Sequence, residues 1–245
     1  MKFAILTGNI GSGKSTVAAE LRKMGYPVIN SDRMLKDIYL TDPGVRGAVT
    51  ALWGPDAIEP LVGLSSTVRN EALDDMVVYR WLESITCGPM DLALGRVFWN
   101  LAGSPDVSGK GHGRGIAFIE TAVMSDWIFG GMAMTRKMEH AYTFRVYCLS
   151  TEARIDRVVE RYQRSHRLET EQYGFFVDPQ EVYDKNRKVL SEYRDMVVRT
   201  DHLQDIVNGR WYETHDGHPK PMDMLNECED HPARIAAEID LVVSK

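Results

Sequence analysis

The stretch Phe3-Ala4-Ile5-Leu6-Thr7-Gly8-Asn9-Ile10-Gly11-Ser12-Gly13-Lys14-Ser15-Thr16 decides the fold. Gly8 to Ser15 fits the phosphate-loop pattern G-x-x-x-x-G-K-[ST]. The apolar run Phe3–Leu6 before it suits a buried first strand. Residues 17–24 after it read as a helix, ended by Gly25. Strand, Gly-rich turn and helix are the context this motif needs. Its chemistry dictates the residue types. Glycines let successive backbone N–H groups curl around a phosphate, and the helix N-terminus adds positive potential. Gly8, Asn9, Ile10, Gly11, Ser12, Gly13, Lys14, Ser15 and Thr16 are therefore the candidate nucleotide-binding set. Lys14 is expected to reach the β- and γ-phosphates of ATP, staying accessible to solvent until ATP arrives. The Ser15 hydroxyl is expected to ligate Mg²⁺.

Working outward, Val28-Ile29 predicts a second strand that delivers Asp32 at its C-terminal edge, where open α/β sheets bind ligands. Asp32 is the candidate general base, or a metal-side carboxylate; it also suits the N-cap of a helix over 33–40. A second helix is expected near 45–52, and 55–66 reads as loop. Apolar residues at helical spacing predict a helix over 69–83, and another over 90–101. Residues 103–115 form a Gly-rich linker or surface loop. Ile116–Ile119 predicts a buried strand ending at Glu120, a candidate metal-side acid with Asp126 as fallback; a structural ion pair is the competing reading. Phe144–Leu149 predicts the next strand and 152–163 a helix.

Arg154, Arg157, Arg161 and Arg164 share one face of that helix, with Arg167 beyond. Arginine forks suit phosphate oxygens in a closing lid, with Arg157 and Arg161 favoured; a solvated face paired with Glu152, Asp156 and Glu160 is the alternative. A further helix is expected near 180–199. Asp205–Asn208 reads as the last strand, 211–230 as an irregular tail, and 232–243 as the final helix. Strands alternating with helices imply a three-layer parallel α/β sheet.

The 245 residues suffice for one such domain, and 44% hydrophobic with 26% charged content is that of a globular protein. A net charge of −6 argues against a nucleic-acid surface. Cys87, Cys148 and Cys228 lack a C-x-x-C pair, so free thiols in a reducing compartment are expected. The first strand is too short for a signal peptide and no apolar run spans a membrane, so the expected location is cytoplasmic.

Residues 6–18 and Gly25-Tyr26-Pro27-Val28-Ile29-Asn30-Ser31-Asp32 closely resemble dephospho-coenzyme A kinase, which reads L-T-G-G-I-G-S-G-K-S-T-V-A, then G-x-x-V-I-D-A-D. Fainter likenesses follow at 53–58, Arg69–Leu73, Leu82–Ile85, Arg157/Arg161 and 205–208. The resemblance implies a P-loop kinase fold in one domain. Its core would be about 1–32, 116–150 and 200–245, its substrate-binding helical region about 33–102 and its lid about 154–180. It implies ATP, Mg²⁺ and a small nucleotide-like acceptor, with Lys14, Asp32, Arg157 and Arg161 catalytic and Ser15 and Glu120 on the metal side. Neither nucleic acid nor membrane is expected as a partner. The chain departs from the family at Asn30, where the family has Asp, at Cys87-Gly88-Pro89 in place of His-Pro, and at Thr121–Ser125. The implied acceptor is the ribose 3′-hydroxyl of dephospho-coenzyme A. A viral-type (deoxy)nucleoside monophosphate kinase and a P-loop NTPase without a small-molecule acceptor are the alternatives.

Overall fold

The computed structural model describes residues 2–60, 63–103, 115–124, 139–161, 179–215, 218–227 and 231–244, with 102–103, 179–190 and 193 described by backbone alone. Among the described residues, five parallel strands form one sheet in the order β2-β5-β1-β6-β7: β1 is Lys2–Thr7, β2 Val28–Asn30, β5 Ile116–Glu120, β6 Glu139–Tyr147 and β7 Pro221–Leu225. A separate two-stranded hairpin, β3 (Ile58–Glu59) with β4 (Gly63–Leu64), interrupts the segment read as loop. The helices are α1 (Lys14–Lys23), α2 (Ser31–Thr41), α3 (Pro43–Trp53), α4 (Ser66–Asp74), α5 (Met76–Gly103), α6 (151–161), α7 (Pro179–Thr214) and α8 (His231–Val243).

Alternation along β1 and β5 builds the layers. Phe3 and Ile5, with Ala117 and Ile119, face one core with α2, α3, α5 and Trp211. Ala4 and Leu6, with Ile116 and Phe118, face the other with α1 and α8. Period-two side chains on a strand buried on both faces explain why β1 and β5 read as unbroken apolar runs. Each fully buried Phe, Ile or Leu contributes about 1.5–3 kcal/mol. The register sets Leu6 beside Glu120 and Glu120 beside Asn30, so three strand ends meet at one edge.

The C-terminal third corrects the sequence reading. Asp205–Asn208 is no strand, because it lies inside the 36-residue helix α7. Leu203, Val207 and Trp211, each at most 7% exposed, recur at intervals of four and bury one helical face. The last strand is β7, within the tail read as irregular. It is a short edge strand, where an initial proline costs no ladder bond. Asp223 on β7 holds Arg145 on β6 through bonds of 2.6 and 2.8 Å. The helix expected over 69–83 breaks at Asp75. Its second half instead continues through Pro89 as α5, carried by buried Leu82, Thr86, Met90, Leu94 and Phe98 at intervals of four. Most of the 103–115 loop lies outside the described residues, as do Asp126, Arg164 and Arg167.

Candidate active site

The phosphate loop leaves β1 at the centre of the sheet. Close approach requires glycine in this loop, as Gly11 and Gly13 illustrate. Gly11 has φ 75° and a Cβ there would sit 2.5 Å from the Arg154 carbonyl oxygen; Gly13 has φ 90° and its Cβ would meet Asn226 Nδ2 at 2.1 Å. Asn226, just past β7, donates to the Ser12 carbonyl at 2.6 Å and bonds Tyr147 through its own backbone. The sequence reading missed Asn226, since it placed the final strand at 205–208, well before β7. The signal was the turn residues Pro219 and Pro221 before a Met-Asp-Met-Leu run.

Lys14 opens α1, and its side chain is only 10% exposed, so it is not the accessible lysine expected. Its Nζ lies 3.6 Å from Glu120 Oε1 and 3.7 Å from Asp32 Oδ2. Glu120 ends β5 with its side chain 1% exposed. It accepts from Ser15 Oγ at 2.5 Å and Asn30 Nδ2 at 2.9 Å, and Arg22 stands 3.7 Å away. A carboxylate buried there needs polar partners, and these replace its water. Glu120 is thus an ion-paired residue, and it also stands against the Ser15 hydroxyl.

Asn30 corrects the capping expectation. Its Oδ1 accepts from Arg33 N at 2.7 Å and caps α2, which begins at Ser31, so Asp32 lies inside the first turn and is not the cap. Asn serves both neighbours because it donates to Glu120 and accepts from the helix; an Asp could only accept. Freed from capping, Asp32 is 59% exposed at the wall of the cleft.

The arginine face splits by position. Arg154, 7% exposed at its side chain, forms a bidentate pair with Asp201 on α7, and that bonding raises its pKa against the cost of burial. Arg157 reaches the Gly11 and Asn226 carbonyls at 3.3 and 3.4 Å. Arg161 stands at the end of α6 on the wall of a cleft of about 860 Å³. That cleft runs from Asp32 past Arg69, Asn70, Glu83 and Thr121 to Arg199. Burial pushes the phenols of Tyr39 and Tyr79, also on its wall, well above their usual range, so both remain neutral hydroxyls. The volume suits a nucleotide-sized molecule. Arg69, Leu73, Leu82 and Glu83, which carried the fainter likenesses, all line it. Arg199 was missed; it ties α7 to α4 through Asp74 at 2.7 Å and the Asn70 carbonyl at 2.9 Å. Among the described residues no group of three or more His, Cys, Asp or Glu is arranged to hold a metal, and no helix is long and apolar enough to cross a membrane.

Comparison with known proteins gives one consistent answer. Residues 3–87 match the family described as dephospho-CoA kinase. A dephospho-CoA kinase of Chlorobaculum tepidum is 47% identical over 51 residues, which are 21% of this chain and 24% of that one. The chain spans between 24% and 40% of the length of the first curated relatives it matches. The fold likeness runs further. The crystal structure of TT1252 from Thermus thermophilus aligns with a TM-score of 0.55 at 18% identity, over 99% of this chain and 96% of that one. Dephospho-CoA kinase from Campylobacter jejuni aligns with a TM-score of 0.50 at 11% identity, over 100% and 98%.

Proposed function

We propose that this chain, which has the fold of a dephospho-CoA kinase-like P-loop kinase and that family's signature over residues 3–87, transfers the γ-phosphoryl group of ATP to the ribose 3′-hydroxyl of dephospho-coenzyme A. The observation that carries the reading is the position of Lys14 between two unlike carboxylates. Glu120 is buried and bonded to Ser15; Asp32 is open to the cleft.

Backbone N–H groups of Gly8 to Thr16 cradle the β- and γ-phosphates, and Lys14 leaves its carboxylates for their oxygens. Asp32 accepts the proton of the acceptor hydroxyl as that oxygen bonds to the γ-phosphorus. The bond from the γ-phosphorus to the bridging oxygen breaks, and ADP leaves with the electron pair. Arg161, from the cleft wall, neutralises charge on the transferring group, while Arg157 holds the loop it touches. Ser15 and Glu120 fit Mg²⁺, since a hydroxyl and a carboxylate oxygen 2.5 Å apart are the hard donors this ion takes beside phosphate oxygens and water. Bound there, Mg²⁺ would neutralise charge on the phosphates. The small-molecule substrates fit a cytoplasmic enzyme. The family match favours this acceptor over a nucleoside monophosphate and over hydrolysis without an acceptor.

A panel of acceptors with ATP and Mg²⁺ tests the reading. Dephospho-coenzyme A should be phosphorylated far faster than any (deoxy)nucleoside monophosphate. Preference for a monophosphate, or ATP hydrolysis indifferent to every acceptor, would overturn it.

A further inference from the structure

The second position of the phosphate loop is Asn9, and its side chain is engaged. Asn9 Nδ2 donates to Asp201 Oδ1 at 3.0 Å. The same carboxylate takes both arms of Arg154, at 2.8 Å on Oδ1 and 2.5 Å on Oδ2. Arg154 Nη1 also reaches the Ile10 carbonyl at 3.4 Å, and its Nη2 reaches Thr151 Oγ1 at 3.2 Å. Ile10 packs beside them into a small apolar cluster of Ile155, Val158 and Val159 from α6 with Val197 from α7. One carboxylate, 192 residues along the chain from Asn9, therefore joins three elements: loop, α6 and α7.

We propose that Asp201 is a positioning residue that fixes the phosphate loop relative to the arginines of α6, which deepens the reading of Gly8–Ser15 as the ATP site and rests on it. The chemistry of the loop needs backbone N–H groups and glycines at positions 8, 11 and 13, not a polar side chain at position 9. Yet that side chain is committed to α7 through Asp201. One turn beyond Arg154 on α6, Arg157 touches the Gly11 carbonyl, and a further turn brings Arg161 to the cleft. Asp201 thus sets the distance between the groups that bind the phosphates and those that meet the transferring one. A bidentate pair gives this register as well as attraction, since two parallel bonds add geometric specificity to the charge pairing.

The test is a double-mutant cycle on Asn9→Ala and Asp201→Ala, read as ATP affinity by calorimetry in the absence of any acceptor, with Tm recorded alongside. Asn9→Ala should weaken ATP binding about 3- to 10-fold in the wild-type background and change nothing in the Asp201→Ala background, because residues in one hydrogen-bond network couple. Asp201→Ala should also lower kcat, whereas Asn9→Ala should act on ATP KM alone. If Asp201→Ala does not fold, Asn9→Ala decides by itself. ATP affinity within about twofold of wild type there, or effects that multiply independently in the double variant, overturns the proposal. A wild-type protein that fails to bind ATP overturns the nucleotide reading as well; acceptor identity does not enter.

Discussion

Two carboxylates stand 3.6 and 3.7 Å from the same ammonium, Lys14 Nζ, in regions built on opposite plans. At the floor of the loop, Glu120 is 1% exposed and meets Ser15, Asn30, Lys14 and Arg22. At the wall of the cleft, Asp32 is 59% exposed, on the first turn of α2. The floor is preorganised, because strand register places Glu120 between Leu6 and Asn30 before any ligand arrives. The wall stands open to the cleft. A buried, bonded carboxylate holds charge in place, whereas an open one can take a proton from an incoming hydroxyl and release it. The division argues that one lysine serves a fixed side and a working side.

Removing Lys14 abolishes the contrast at its centre and should have the largest effect. Lys14→Ala should lower kcat/KM at least about a thousandfold, since contact with the transferring phosphoryl group supplies several kcal/mol in the transition state. It should also cost some Tm, because Glu120 loses one of its buried partners. Turnover near wild type in steady-state assays contradicts the assignment of the loop.

The arginines sharpen the comparison next. Arg161→Ala should lower kcat about 10- to 100-fold with ATP KM nearly unchanged, because its place on the cleft wall lets it act on charge that develops during transfer. Arg157→Ala should raise ATP KM as well, since Arg157 holds the Gly11 and Asn226 carbonyls. Identical kinetic signatures for the two variants would erase the distinction between loop and wall.

The smallest effect lies away from both. His140 stacks on Phe3 and faces His218 at 3.1 Å, with His215 beyond; burial, then the neighbouring His218, lowers its pKa from 6.5 to about 4. Between those values the unfolded chain binds the proton that the folded one refuses. Stability should therefore fall as pH drops from about 6.5 towards 4, by about 1–2 kcal/mol after allowing for partial exposure. His140→Gln should flatten that part of a Tm-against-pH curve while leaving turnover at neutral pH unaltered.

The floor was legible in the sequence and the wall only in part, for a physical reason. A phosphate loop is local: glycines, lysine and serine at fixed offsets force one backbone, and strand ends deliver Glu120 and Asp32 from short apolar runs. Asn226, Asp201 and Arg199 act through contacts with residues more than a hundred positions away, for which spacing along the chain gives no sign. The misplaced last strand shows the same limit. The segment around 205–208 was apolar enough for a strand, but its buried residues Leu203, Val207 and Trp211 keep helical spacing over a longer window. Meanwhile β7, short and carrying Asp223, is recognisable by its pairing with Arg145. Asp32 was singled out from the sequence, but its freedom from capping depends on Asn30, a departure whose use emerges when its bond to Glu120 is seen.

The division between floor and wall is tested most directly by Asp32→Asn, measured for ATP binding and for single-turnover transfer to dephospho-coenzyme A in the same preparation. The substitution keeps shape and removes basicity. ATP affinity should stay within about threefold of wild type while the transfer rate falls about 10²–10⁴-fold, the range a positioned general base contributes. Transfer at close to the wild-type rate, or a loss of ATP binding equal to the loss of transfer, would contradict the account.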